Sequence, residues 1–132
     1  MKKVIILGII VLFSLSHANW EKVGSVNAGS GSIRMNFGRM FFIDTLHGWL
    51  AGGSISPQPR YNQPYLARTY DGGKIWTEQL TDSRTAYIWD ICFVNNNIGW
   101  MASQSRQSYG DSIGLIYKTE DGGLNWQLVL EG

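Results

Sequence analysis

From Met40 to the end, the chain breaks into short apolar and aromatic runs separated by glycine, asparagine, aspartate and proline. Met40–Ile43, Gly48–Gly52, Tyr65–Thr69, Trp76–Leu80, Tyr87–Val94, Gly99–Ser103, Leu115–Thr119 and Trp126–Leu130 each read as a strand. No long run of strong helix formers interrupts them. The stretch from Ser54 to Pro64 holds all three prolines of the chain, which excludes a central strand there. Gln104–Ser112 is a second polar loop, and Asn95-Asn96-Asn97 is a turn. Asp71-Gly72-Gly73 and Asp121-Gly122-Gly123 sit between strand patterns and predict tight hairpins, because these residues tolerate the positive φ that such turns demand.

The eight strands fall into two series of four. Phe42-Ile43-Asp44, Gly48-Trp49-Leu50-Ala51, Leu66-Ala67-Arg68-Thr69, Asp71-Gly72-Gly73 and Trp76 recur as Phe93-Val94-Asn95, Gly99-Trp100-Met101-Ala102, Ile116-Tyr117-Lys118-Thr119, Asp121-Gly122-Gly123 and Trp126. The Gly-Trp pairs lie 51 residues apart and the aspartates 50, so one residue is lost in the loop between them. Four strands per unit with a period of about fifty is the arithmetic of a β-propeller blade. The predicted fold is all-β, with two four-stranded antiparallel propeller blades at 40–80 and 81–132. Residues 19–39 precede them as an N-terminal strand and a Gly/Ser-rich connection. Within that stretch, Trp20-Glu21-Lys22-Val23 can be laid over Trp76-Thr77-Glu78-Gln79, either as an outer strand that closes a ring or as a free edge or tail.

Thr69-Tyr70-Asp71-Gly72-Gly73-Lys74-Ile75-Trp76 and Thr119-Glu120-Asp121-Gly122-Gly123-Leu124-Asn125-Trp126 resemble the Asp-box, or bacterial neuraminidase repeat, of pattern Ser/Thr-X-Asp-X-Gly-X-Thr/Asn-Trp. The wider unit is similar to blades of the photosystem II stability/assembly factor family. The resemblance implies that Thr69, Asp71, Gly73, Trp76, Thr119, Asp121, Gly123 and Trp126 are structural. In such a hairpin the aspartate folds back onto its own turn, the glycine takes positive φ, and the tryptophan is buried beneath the turn and opens the next strand. Ile75 departs from the pattern, so the first hairpin is expected to lack one turn hydrogen bond. Propellers typically need four or more blades. Two blades therefore imply a continuation into a longer propeller, a ring of several copies, or a small two-blade sandwich. The first is expected, because Leu128-Val129-Leu130 runs to the end with no closing element, and residues 19–132 alone are not expected to form a well-behaved monomer.

Met1-Lys2-Lys3, the apolar run Val4–Phe13 and the small residues Ser16 and Ala18 form the three parts of a secretory signal peptide spanning 1–18, with cleavage between Ala18 and Asn19. The apolar run is shorter than the roughly 20 residues of a membrane span, so export without a stable anchor is expected, leaving a secreted or periplasmic chain. Removing Lys2 and Lys3 with it turns the net charge from +1 to −1.

Eleven basic against ten acidic residues exclude the basic excess of a generic nucleic-acid binder. Cys92, the only cysteine, lies in the apolar string Trp89–Val94 and is read as a buried, inert thiol. His47 is the one histidine beyond the leader, and no CxxC, nucleophile elbow or phosphate-binding glycine loop occurs, so no metal, cofactor or catalytic set is expected. The arginines would suffice in number for a sialidase, but the Arg-Ile-Pro string of that family is absent. Asp44 and Asp90 are the candidate carboxylates on inner strands, Asp44 as a turn residue and Asp90 as the one suited to a ligand channel. The function read from the chain is a non-catalytic module for a protein partner or further propeller blades. Arg60, Tyr61 and Tyr65 in one loop, and Arg106 and Tyr109 in the other, are its candidate partner residues. The alternative is glycan binding or hydrolysis, with Trp89 or the loop tyrosines stacking on a sugar ring beside Asp90.

Overall fold

The computed structural model describes residues 22–23, 35–54, 62–79, 81–106 and 113–132. The leader and its cleavage point, Trp20 and Glu21, the connection at 24–32, Arg60, Tyr61 and Tyr109 lie outside the described residues, while Lys22 and Val23 are exposed and belong to no strand. Eight strands form two sheets: β1 (Met35–Phe42), β2 (Gly48–Ser54), β3 (Pro64–Thr69) and β4 (Thr77–Glu78), then β5 (Thr85–Phe93), β6 (Gly99–Ser105), β7 (Gly114–Thr119) and β8 (Gln127–Glu131). Each sheet is an antiparallel meander in sequence order, the form of a propeller blade, and the described residues contain no helix. The chain is all-β.

The inner strands run further back than the apolar pattern alone indicates. β1 starts at Met35, where Met35, Asn36 and Phe37 pair with Ser54, Gly53 and Gly52. Glycine makes this pairing possible, since a Cβ at Gly52 would collide with the Asn36 carbonyl. β4 is only two residues long, though Gln79 N still donates to the Leu66 carbonyl at 2.8 Å. Both inner strands carry a bulge at the same place in the repeat, between Phe37 and Arg39 in β1 and between Ile88 and Asp90 in β5.

The blades pack face to face. Trp49, Ala51 and Leu66 of the first blade meet Ile88, Ile91, Phe93, Met101, Leu115 and Tyr117 of the second in one buried cluster, with Phe41 and Trp126 at its edge. At its centre the Trp49 and Phe93 rings stack, their centroids 3.6 Å apart and their planes 11° from parallel. The opposite face of the first blade holds a smaller cluster of Leu50, Tyr65 and Ala67, packed with Met35 and Trp76. β2 therefore has apolar neighbours on both sides and is buried along its whole length.

Strand alternation corrects two of the expectations above. Ile91 and Phe93 point toward the first blade, so Cys92 between them points to the open side of the second and is exposed. An apolar flanking sequence marks a buried strand, and it does not say which face of the strand is buried. Tyr65, expected on the partner surface of its loop, is instead 6% exposed. It belongs to β3, faces Leu50, and stands edge-on to Phe37 at 5.7 Å.

Trp49 and Arg68 join the blades at one hairpin. Trp49 Nε1 and Arg68 Nη1 both donate to the Gly122 carbonyl at 3.0 Å, and Arg68 Nη2 donates to the Asn96 carbonyl at 3.0 Å. Arg68 is buried, and its guanidinium lies over the Trp49 and Tyr70 rings at 4.9 and 4.3 Å. Carbonyl dipoles and ring faces solvate this charge, where a carboxylate would be the commoner partner. Trp49→Ala is expected to lower the unfolding free energy in urea by about 3–5 kcal/mol. Trp49→Phe keeps the stack, loses one of the two bonds to Gly122, and is expected to cost about 1 kcal/mol.

Candidate functional site

The residues singled out in the sequence separate into two places: the hairpin turns, and the bulged ends of the inner strands. In each hairpin the threonine and aspartate satisfy the turn from within. Thr69 Oγ1 donates to Asp71 Oδ1 at 2.8 Å and accepts from Gly73 N at 2.9 Å, while Asp71 Oδ1 accepts from Ile75 N at 3.0 Å. Thr119, Asp121, Gly123 and Asn125 repeat this with bonds of 2.9 Å each. Gly72, Gly73, Gly122 and Gly123 have φ between 75° and 95°, a region that costs a side-chain-bearing residue strain. Trp76 and Trp126 lie half-buried just before β4 and β8 rather than inside them, and Trp126 Nε1 donates to the Gly123 carbonyl at 3.1 Å.

The two hairpins differ at one position. Asn125 Nδ2 donates to Asp121 Oδ2 at 2.7 Å, whereas Ile75 in the first hairpin offers only its backbone N–H. The turns between the first two strands of each blade are built alike. Asp44 Oδ1 accepts from the N–H groups of Leu46 and His47 at 2.8 and 2.7 Å, and Asn95 Oδ1 from those of Asn97 and Ile98 at 2.9 and 2.8 Å. Each of these turns then receives the adjacent hairpin, through Gly72 N to the Leu46 carbonyl and Gly122 N to the Asn97 carbonyl. The aspartates of these turns hold the chain in shape, which leaves them poorly placed as catalytic acids.

Three of these carboxyls are held below their ordinary value of 3.8: Asp44 chiefly by the His47 N–H, Asp71 by that of Ile75, and Asp121 by that of Asn125. Burial has the opposite effect on two phenols, raising Tyr65 and Tyr117.

The second place is the inner-strand edge. The bulge after Ile88 turns Trp89 outward, leaving it 55% exposed, with its ring 4.5 Å from that of Tyr87. Tyr87 itself is buried, and its hydroxyl donates to the Asn36 carbonyl of the first blade at 3.2 Å. Asp90 Oδ1 accepts from Ile91 N at 2.9 Å and lies 3.2 Å from Arg39 Nε, in an exposed ion pair between the blades. β1 comes close to β5 here, for a Cβ at Gly38 would sit 3.0 Å from the Ile88 carbonyl. Trp89 and Asp90, neighbours in sequence, are both exposed at this edge, Trp89 against Tyr87 and Asp90 against Arg39. Arg106 lies apart from this edge, near the end of β6, and donates to the Thr85 carbonyl at 3.4 Å. No group of three or more His, Cys, Asp or Glu among the described residues is placed to hold a metal ion, and no helix among them is long and apolar enough to cross a membrane.

Arg68 and Arg39 both make contacts between the blades, and neither stands out in the sequence. Arg68 had one available signal, the basic residue of Lys118 at the same place in the second repeat. Arg39 had none, because its counterpart is the acidic Asp90.

As pH falls, the three lowered carboxyls set the direction of the stability change. Each is more acidic folded than unfolded, so its contribution is complete above the ordinary value near 3.8 and is lost as pH drops through the lower folded value. The melting temperature is expected to fall below about pH 4, more shallowly in a variant carrying Asp71→Asn and Asp121→Asn. At neutral pH, Asn125→Ile should lower the melting temperature and Ile75→Asn should raise it, which thermal scans followed by circular dichroism would show.

Among known proteins, the chain is similar to the photosystem II assembly lipoprotein Ycf48 of Picosynechococcus sp., at 25% identity over a 167-residue alignment. That alignment takes in 98% of this chain and 44% of the relative, so the chain spans less than half of the relative's length. No protein-family profile matches the chain, and no solved structure matches it significantly. The chain is an all-β protein of two blade-like sheets with distant similarity, along nearly its whole length, to part of an assembly factor.

Proposed function

We propose that the chain is a non-catalytic β-propeller segment, secreted or periplasmic after cleavage at Ala18, whose Asp-box hairpins brace blades that present a surface to a protein partner during assembly of a complex. The alignment of nearly the whole chain with an assembly lipoprotein carries this reading. The disposition of its polar groups supports it. Asp44, Asp71 and Asp121 are engaged by their own turns, and Asp90 is paired with Arg39. Catalysis of glycoside cleavage needs two carboxyl groups facing one another across a substrate. Trp89 beside Asp90 and Arg39 gives an exposed aromatic flanked by both charges, the composition of an interface centre.

An exposed Trp next to a carboxylate also favours a second reading, a glycan stacked on Trp89. Photo-crosslinking from position 89 in the source cells distinguishes the two. Adducts to one or a few polypeptides, lost on Asp90→Lys, are the expected result. Hydrolysis of a sialoside or a xyloglucan oligosaccharide, or glycan binding that disappears in a folded Trp89→Ala variant, would refute the assembly reading. Mass spectrometry of the exported chain should find Asn19 at its N-terminus, and a retained Met1 would refute the proposed processing.

A further inference from the structure

The interface between the blades has an orientation. The first blade contributes Phe41, Trp49, Ala51, Leu66 and Arg68, which stand on one face of its sheet by the register of β1, β2 and β3. The second contributes Ile91, Phe93, Met101, Leu115 and Tyr117 from the opposite kind of face. Along the repeat, the front-face residues of the first blade correspond to Cys92, Trp100, Ala102, Ile116 and Lys118 of the second. Those five residues lie on the second blade's outer side, exposed or half-buried, and Cys92, Trp100, Ala102 and Ile116 line a shallow apolar depression that also touches Asp90.

The first blade likewise presents the receiving half. Phe42 is the repeat equivalent of Phe93. It stands edge-on to Trp76 at 5.9 Å, as Phe93 stands edge-on to Trp126 at 6.1 Å. Phe93 stacks on Trp49, whereas Phe42 is 36% exposed and Met40 beside it 61% exposed. The chain therefore carries one complete Trp–Phe stack and, at its two outer faces, the separate halves of another: Trp100 and Phe42. Among the described residues Trp100 Nε1 has no hydrogen-bond acceptor, while its counterpart Trp49 Nε1 has the Gly122 carbonyl. The Gly72 carbonyl is the corresponding acceptor in a first blade.

Charge selects the occupant. Across the existing interface Arg39 of the first blade faces Asp90 of the second at 3.2 Å, and the two occupy the same position in their repeats. A first blade laid on the open face of the second would place another Arg39 beside Asp90, extending the pair into an alternating row. We propose that the open face of the second blade docks the outer rim of the first blade of a second copy of this chain, head to tail, with Trp100 stacking on the copy's Phe42 and Asp90 facing the copy's Arg39. Leu50, Tyr65 and Ala67 are already buried, so the contact rests on the exposed rim of Met40 and Phe42, and the fraction of chains associated rises with concentration. The proposal rests on the propeller-blade reading and adds a specific partner to it.

Sedimentation velocity of the purified chain over a wide concentration range tests it. Association rising with concentration is expected, and Trp100→Glu should weaken it by about thirtyfold or more, the loss typical of a central aromatic anchor. Asp90→Arg and Arg39→Asp change exposed residues, and each variant alone should associate poorly. Mixing the two should restore association, because only contacts between the chains then pair opposite charges. Cys92 supplies a second readout, since its reaction with a thiol reagent should slow as wild-type concentration rises and stay constant in Trp100→Glu. A wild-type chain that remains monomeric throughout, association unchanged by Trp100→Glu, or a mixture no tighter than its components would overturn the proposal. A folded monomer with a β-type circular dichroism spectrum would overturn only the docking, whereas absence of that spectrum would overturn the blade reading itself.

Discussion

The arrangement of the two blades depends on a single carbonyl oxygen and the two side chains that reach it. Gly122 presents its C=O into the space between the sheets, and Trp49 and Arg68 both donate to it. The reach works because β2 and β3 place Trp49 directly across from Arg68, so one cross-strand pair delivers both donors to one point. The rest of the core is arranged about that pair. The Trp49 ring stacks on Phe93 and also lies under the Arg68 guanidinium. Apolar burial supplies most of the attraction between the sheets, while these directional bonds set how far one sheet can slide over the other.

The same constraint explains the rigidity required of the hairpin. Gly122 can offer its carbonyl to a neighbouring blade only if its own turn is held in a fixed shape, and the bonds from Thr119 and Asp121 hold it. A Cβ at Gly122 would meet the Arg68 guanidinium and the Asn96 carbonyl, so the position excludes any larger residue for reasons of space as well as φ. In the second hairpin, threonine, aspartate and glycine thus serve a purpose that spans two blades.

Much of this was legible in the sequence, and the limits have physical causes. The repeat located all eight strands and both hairpins, because glycine, aspartate and tryptophan at a fixed offset report local backbone geometry. The start of β1 was less visible, since Met35–Phe37 acquires its strand character from pairing with Gly52 and Gly53. Cys92 was misplaced because alternation fixes which residues share a face without saying which face another sheet will cover. Arg68 reads as an ordinary surface cation until its partners, two backbone carbonyls far away in sequence, are seen. Trp89 and Asp90 were identifiable as an odd pair within an apolar string, but the bulge that turns them outward has no clear mark in the sequence of β5.

The order of strands within each sheet has a consequence for how the chain reaches this state. Every strand pairs only with its sequence neighbours, so each blade can zip up from one end through short loop closures of modest entropic cost. The contacts demanding a long excursion, such as Tyr87 with Asn36 and Trp49 with Phe93, wait until β5 exists. A chain emerging from its N-terminus could therefore finish the first meander before the second is present. Until the second arrives, that meander would hold Trp49 and Arg68 in water, a hazard lasting only as long as the next few dozen residues take to appear.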